Sequence, residues 1–234
     1  MARERPAMIA WETLGEARTP DGTAMTLRRR GHEFLILADG RSLMPSTITG
    51  SEQALASIGC RHLAAAAAPV VLIGGLGMGF TVRAALDAVA PDARIVVAEL
   101  VPEVVQWNEG PLGPLAGHPL RDPRVTVEIG DALAVVRGHP ASFDAILLDV
   151  DNGPAEFSAA GNDALYSRAG LHSIRMALAP GGVLAVWAAS EDRRFVQRLR
   201  SLGFAVELVR ARGHGARGAR HLIYLAVPRS APAP

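Results

Sequence analysis

Glu99 and Asp149 each follow a short apolar run directly, Asp131 follows another after a single glycine, and Gly74-Gly75-Leu76-Gly77-Met78-Gly79 follows a fourth. A carboxylate at the carboxyl end of a buried strand opens into the crevice where ligands bind an α/β sheet. There it can accept hydrogen bonds from hydroxyl or amino groups, or take a proton. Glycines between a strand and a helix let the backbone turn sharply and approach a ligand with no Cβ in the way. The helix behind them offers free N–H groups and the positive end of its dipole to a carboxylate or phosphate.

The spacing refines this chemistry. Glu99 lies 20 residues after Gly79, where an acid accepts hydrogen bonds from a ribose diol. Asp131 can cap the following helix and also meet an adenine amino group. Asp149 follows Ala145-Ile146-Leu147-Leu148 and emerges from an apolar strand into the cleft, with Asp151 just beyond it. Asp149 and Asp151 are therefore the catalytic candidates. Gly74, Gly75, Gly77, Met78, Gly79, Glu99, Leu100, Asp131 and Ala132 are the candidates for binding a nucleoside, with Met78 expected to pack on it.

Positioning these groups requires a particular scaffold. From residue 69 onward, apolar runs at 70–73, 94–98, 125–129, 145–148 and 183–187 alternate with helical stretches at 79–89, 102–108, 132–136 and 165–178. That alternation predicts βαβ units and a parallel sheet buried on both faces. A helix over 192–202 and strands over 205–209 and 221–227 close the sheet. Before it, Thr23 to Leu37 reads as a hairpin around Arg30-Gly31-His32, and Ser51 is expected to cap a helix running through Leu55, Ile58 and Leu63. The predicted fold class is α/β: a Rossmann-like, doubly wound sheet with a small N-terminal β-hairpin region. The predicted organisation is residues 1–64 as the hairpin and helix region, 65–228 as the nucleoside-binding domain, and 229–234 as a disordered tail.

Composition excludes several alternatives. All 24 basic residues are Arg, so Schiff-base chemistry on lysine and a P-loop lysine are ruled out. With a formal net charge of +1, no whole-molecule field recruits nucleic acid. Arg210, Arg212, His214, Arg217, Arg220 and His221 are interleaved with glycine and alanine and read as a solvated loop. The lone Cys60, in an Ala/Leu-rich stretch, reads as packing, and no Cys/His cluster has metal spacing. No apolar run approaches the length of a membrane span, so a cytoplasmic enzyme with a small-molecule substrate is expected. The short hairpin cannot bury a core alone, and a homodimer is expected to cover it.

On the glycine run, Glu99, Gly130-Asp131 and Asp149-Val150-Asp151-Asn152-Gly153-Pro154, with Asp122-Pro123-Arg124-Val125 ahead of the third strand, the chain resembles the spermidine synthase (polyamine aminopropyltransferase) family over roughly residues 23–187. The resemblance implies a class I S-adenosylmethionine-dependent methyltransferase fold behind a small β domain, commonly in dimers. It implies that Glu99 holds the ribose, Asp131 the adenine amino group, and that Asp149 acts as base on the attacking amine. Four positions depart from the family pattern. Gly77 stands where an aspartate is usual, Asn152 replaces the second signature aspartate, and Leu55-Ala56 replace a tyrosine and histidine. A carboxylate at position 77 suits the bare ammonium tail of decarboxylated S-adenosylmethionine and repels the α-carboxylate of ordinary S-adenosylmethionine. Its absence makes methyl transfer from S-adenosylmethionine to a small nucleophile the first reading. Aminopropyl transfer from decarboxylated S-adenosylmethionine is the alternative.

Overall fold

The structure, a computed structural model, describes residues 9–150, 164–212 and 220–229. It opens with a four-stranded antiparallel sheet of β1 (Glu12–Arg18), β2 (Ala24–Arg30), β3 (Glu33–Ala38) and β4 (Arg41–Pro45), in that order. The expected hairpin is its β2–β3 centre. The outer strands were not anticipated, because β1 lacks a run of β-branched residues and β4 ends on proline. Helix α1 (Gly50–Gly59) follows. Its N-cap is Thr49 without a side-chain bond, whereas Ser51 lies buried inside the first turn. The expected cap at Ser51 is therefore corrected, and the helix stops at Gly59, short of Leu63.

The main sheet comprises β5 (Val70–Gly74), β6 (Arg94–Glu99), β7 (Val125–Ile129), β8 (Phe143–Leu148), β9 (Leu178–Ala188), β10 (Phe204–Arg212) and β11 (Arg220–Pro228). Their order is β10-β11-β9-β8-β5-β6-β7. Strands β5 to β9 pair in parallel, while β11 runs antiparallel to both β9 and β10. The connecting helices are α2 (Phe80–Ala88), α3 (Pro102–Glu109), α4 (Ala132–Gly138), α5 (Arg168–Ala177) and α6 (Arg193–Ser201).

Strand side chains alternate between two cores, as a sheet buried on both faces demands. Val71, Ile73, Ala145, Leu147 and Ala185 join α1, α2 and α3 on one face. Leu72, Ile146, Leu148, Leu184 and Val186 join α4, α5 and α6 on the other. The first core continues into the N-terminal sheet through Leu27 and Ile36. Trp107 of α3 lies so close to β1 that a Cβ on Gly15 would sit 2.5 Å from its Nε1. The small sheet thus covers its apolar face within its own chain, and the hairpin does not by itself require a second copy. Cys60 is fully buried, and desolvation pushes its thiol up to about 12, so it packs and does not react.

Asp122 and Arg124 form a two-point ion pair at 2.8–2.9 Å at the entry to β7. Arg124 Nη1 also donates to the carbonyls of Leu86 and Ala90, tying the end of α2 to the sheet. Among the described residues, no helix is long and apolar enough to cross a membrane. Strands β10 and β11 extend the closing pair to Arg212 and Arg220, so Arg210, Arg212, Arg220 and His221 of the anticipated Arg/His loop lie in strands. Residues 213–219, with His214 and Arg217, lie outside the described residues, as does 230–234 of the expected tail.

Candidate active site

The chain leaves β5 for β6 and β7 on one side and later returns to β8 and β9 on the other, so the switch point of the sheet lies between β5 and β8. Register places the sequence candidates there. Gly74 is level with Ala98 of β6 and Leu148 of β8. The next residues, Gly75, Glu99 and Asp149, therefore emerge together. Backbone bonds continue the ladder past the strands: Gly75 N–H donates to Ala98 O and Asp149 N–H to Gly74 O, both at 2.9 Å.

Two glycines in this turn are required by geometry. Gly75 has φ +89°, and a Cβ there would lie 2.5 Å from the carbonyl oxygen of Asp149. Gly77 has φ +53°, and its Cβ would lie 2.7 Å from the methyl carbon of Met44 on β4. The N-terminal sheet therefore touches the loop at the one position where the family resemblance leads one to expect a carboxylate, and does so with a thioether. Gly79 closes the turn with its N–H on Leu76 O and precedes α2 directly. Buried Asn108 of α3 holds the loop from behind, its Nδ2 donating to Gly77 O at 2.8 Å.

Glu99 is buried and binds the loop as well as standing beside it. Its Oε2 accepts from Leu76 N–H and its Oε1 from Val101 N–H, both at 2.9 Å. Asp131 caps α4: its Oδ1 accepts from Leu133 N–H at 2.8 Å and Ala134 N–H at 3.1 Å. Both bonds fall on one oxygen, which leaves Oδ2 for a ligand. Ala132 packs beneath Gly74, and Leu100 is exposed beside Glu99. Ile129, exposed at the end of neighbouring β7, adds an apolar surface that the sequence reading did not single out. Met78 departs from expectation. Its side chain is buried in the core beneath the loop, so it supports the turn and does not face a nucleoside.

Asp149 is half-buried, and its Oδ2 accepts a 2.6 Å bond from Thr81 Oγ1 in the first turn of α2. Desolvation pushes its carboxyl up to about 6, against the lowering effect of Thr81. A second carboxyl, Glu52 in the first turn of α1, is buried nearby. Desolvation, and then the charge of Asp149, push Glu52 up to about 8. Neither Thr81 nor Glu52 was found from the sequence, since a threonine or a glutamate in a first helical turn is commonplace there. Asp151, with Asn152, lies outside the described residues.

This arrangement can bind a nucleoside along Glu99 and Asp131, and can present a carboxyl of raised proton affinity to a nucleophile. Comparisons with known proteins identify the family that carries this fold. Residues 57–197 match the family model described as the spermine/spermidine synthase domain. A polyamine aminopropyltransferase of Mycobacterium tuberculosis is 34% identical over 145 residues, which cover 58% of this chain and 27% of that protein. Putrescine N-methyltransferase 4 of Nicotiana tabacum is 34% identical over 124 residues, covering 52% of this chain and 30% of that protein. The chain thus spans less than a third of the length of either relative in these alignments. A spermidine synthase solved in complex with the transition-state analogue AdoDATO superposes over 99% of this chain and 85% of its own, with a TM-score of 0.76 and 16% identity, a likeness of fold. With more than half of its residues inside the matched domain and the switch-point carboxylates carried on that fold, the chain belongs to the spermine/spermidine synthase family.

Proposed function

We propose that this chain transfers an alkyl group from the sulfonium of an S-adenosyl donor to an amine of a small polyamine acceptor, and that the group is the aminopropyl arm of decarboxylated S-adenosylmethionine. The observation that carries the reading is Asp149: a desolvated carboxyl at the switch point, oriented by Thr81. An amine must shed a proton to attack, and a carboxyl held near 6 accepts it at neutral pH better than an ordinary aspartate. The residues present fit the donor. Glu99 stands at the end of β6, Asp131 spends one carboxylate oxygen on its cap and keeps the other, and Leu100 and Ile129 offer apolar surface at adjacent strand ends.

The donor, when bound, supplies a carbon already activated by its sulfonium. Glu99 orients the ribose, and the glycine turn sets the depth of the donor tail. Asp149 holds the acceptor nitrogen in line and takes its proton as the nitrogen–carbon bond forms and the carbon–sulfur bond breaks, the thioether leaving with the electron pair. The family match and the aminopropyltransferase relative favour this over the methyl transfer first read from Gly77.

Methyl transfer from ordinary S-adenosylmethionine stays as the second reading, on a specific observation. Position 77 carries no carboxylate, Met44 fills the adjoining space, and relatives include a putrescine N-methyltransferase. The deciding experiment incubates the protein with 1,4-diaminobutane and each donor separately, and identifies the product by mass. An aminopropylated diamine from the decarboxylated donor is expected; a methylated diamine from the ordinary donor alone would reverse the order. A Gly77→Asp, Met44→Ala double variant, which opens the space a carboxylate needs, should strengthen preference for the decarboxylated donor.

A further inference from the structure

Glu52 is a charged-type side chain placed inside the molecule, only 8% exposed. Among the described residues no cation pairs with it, and its own backbone N–H is the donor that favours its charged form. Carboxyls are seldom buried without a countercharge, because desolvation of the charged form is costly. Helix α1 packs along α2 and over β8 and β9. At its far end, Gly59 lies so close to Leu147 and Ala185 that any side chain there would overlap them. From Gly59 back to Glu52 is about 10 Å of helix, at roughly 1.5 Å per residue. From Leu147 on to Asp149 is about 7 Å of strand, at roughly 3.3 Å per residue. Both carboxyls therefore reach the carboxyl end of β8, where the charge of one is felt by the other.

We propose that Glu52 faces Asp149 across the acceptor pocket and is the second carboxyl that receives a cationic amine. The inference rests on the polyamine reading above and names a residue that reading did not use. Among the described residues, α2 contributes the Thr81 hydroxyl to Asp149, and β10 and β11, which also pack on α1, carry Ala211, Ile223 and the titratable His221, whose ring nitrogens have no hydrogen-bond partner; Asp151 lies outside the described residues. Burial, and then the charge of Asp149, favour the protonated form of Glu52. An arriving ammonium makes ionised Glu52 favourable, so its proton leaves to solvent as the cation binds. A diamine then meets a carboxylate for its charged end and a separate base for its attacking end. The structural alternative, a glutamate buried merely to pack, predicts no proton exchange on binding.

The test is calorimetric titration of the full chain with 1,4-diaminobutane at pH 7 in two buffers of different ionisation heat. Wild type should release close to one proton per diamine bound. Glu52→Gln should release almost none and bind the diamine at least tenfold more weakly, while S-adenosyl donor affinity stays unchanged. Glu52→Asp, which keeps the charge, should retain the proton release and guards against loss of folding in the Gln variant. Diamine affinity and proton count unchanged in Glu52→Gln would overturn the assignment and leave the polyamine reading standing. A wild type that binds its donor but no diamine would overturn the polyamine reading, and this inference with it.

Discussion

Replacing Glu99 by Gln should separate two tasks that the same side chain performs. In the wild type its two oxygens accept the N–H groups of Leu76 and Val101. Glutamine offers one carbonyl oxygen and turns its NH2 toward the other N–H, so one bond is lost and two donors oppose each other. Bonds from N–H to a buried carboxylate are worth roughly 1.5–3 kcal/mol each, and an unpaired buried donor costs about 1–3 kcal/mol. A loss of about 2–4 kcal/mol is expected, which for a domain of this size is a fall in Tm on the order of 5–15 °C. Below that temperature the protein is still folded, and donor binding can be titrated by calorimetry. If Glu99 also holds the ribose, affinity should drop at least tenfold, about 1.4 kcal/mol. A folded variant that binds the donor as tightly as wild type would refute the ribose role. An unchanged Tm would refute the view that Glu99 secures the glycine turn.

Thr81→Val removes the donor that favours ionised Asp149, so that carboxyl should titrate above its present value of about 6. The acid limb of kcat/KM should move to higher pH, and a limb that stays in place would argue against Asp149 as the base. Both Glu52 and Asp149 bind protons more tightly folded than unfolded, so the folded chain holds more protons between about pH 4 and 8. Their effect is therefore a stability that falls as pH rises through that window and levels off above it. Urea unfolding from pH 5 to 8 should show this fall, and Glu52→Gln should flatten it; an equal slope in both proteins would contradict the burial argument.

The parallel sheet was legible because β5, β6, β8 and β9 each carry an apolar run buried on both faces, while edge strand β7 alternates apolar and polar residues and shows as a strand all the same. Glu99, Asp131 and Asp149 were legible for the same reason: a strand end is visible in sequence, and its next residue enters the crevice. Residues that reach the site from helices were not. Glu52 and Thr81 sit in first turns, where their types are ordinary, and only packing of α1 on α2 brings them to Asp149. Met78 was misplaced because φ values of +53° and +82° on either side of it turn its side chain inward, which a glycine pattern cannot foretell. Strands β1 and β4 escaped notice because their pairing, not their composition, makes them strands.

The contact between Met44 and Gly77 joins the first forty-odd residues to the glycine loop, where the donor is proposed to bind. Anything that fixes position 77 also steadies β4, and through it the ladder that β4 shares with β3. By mass action, a bound donor should slow amide hydrogen exchange in the N-terminal sheet, which no donor atom needs to touch. A change of side chain at position 44 would likewise be felt at the glycine loop from outside it, without altering a single strand-end carboxylate.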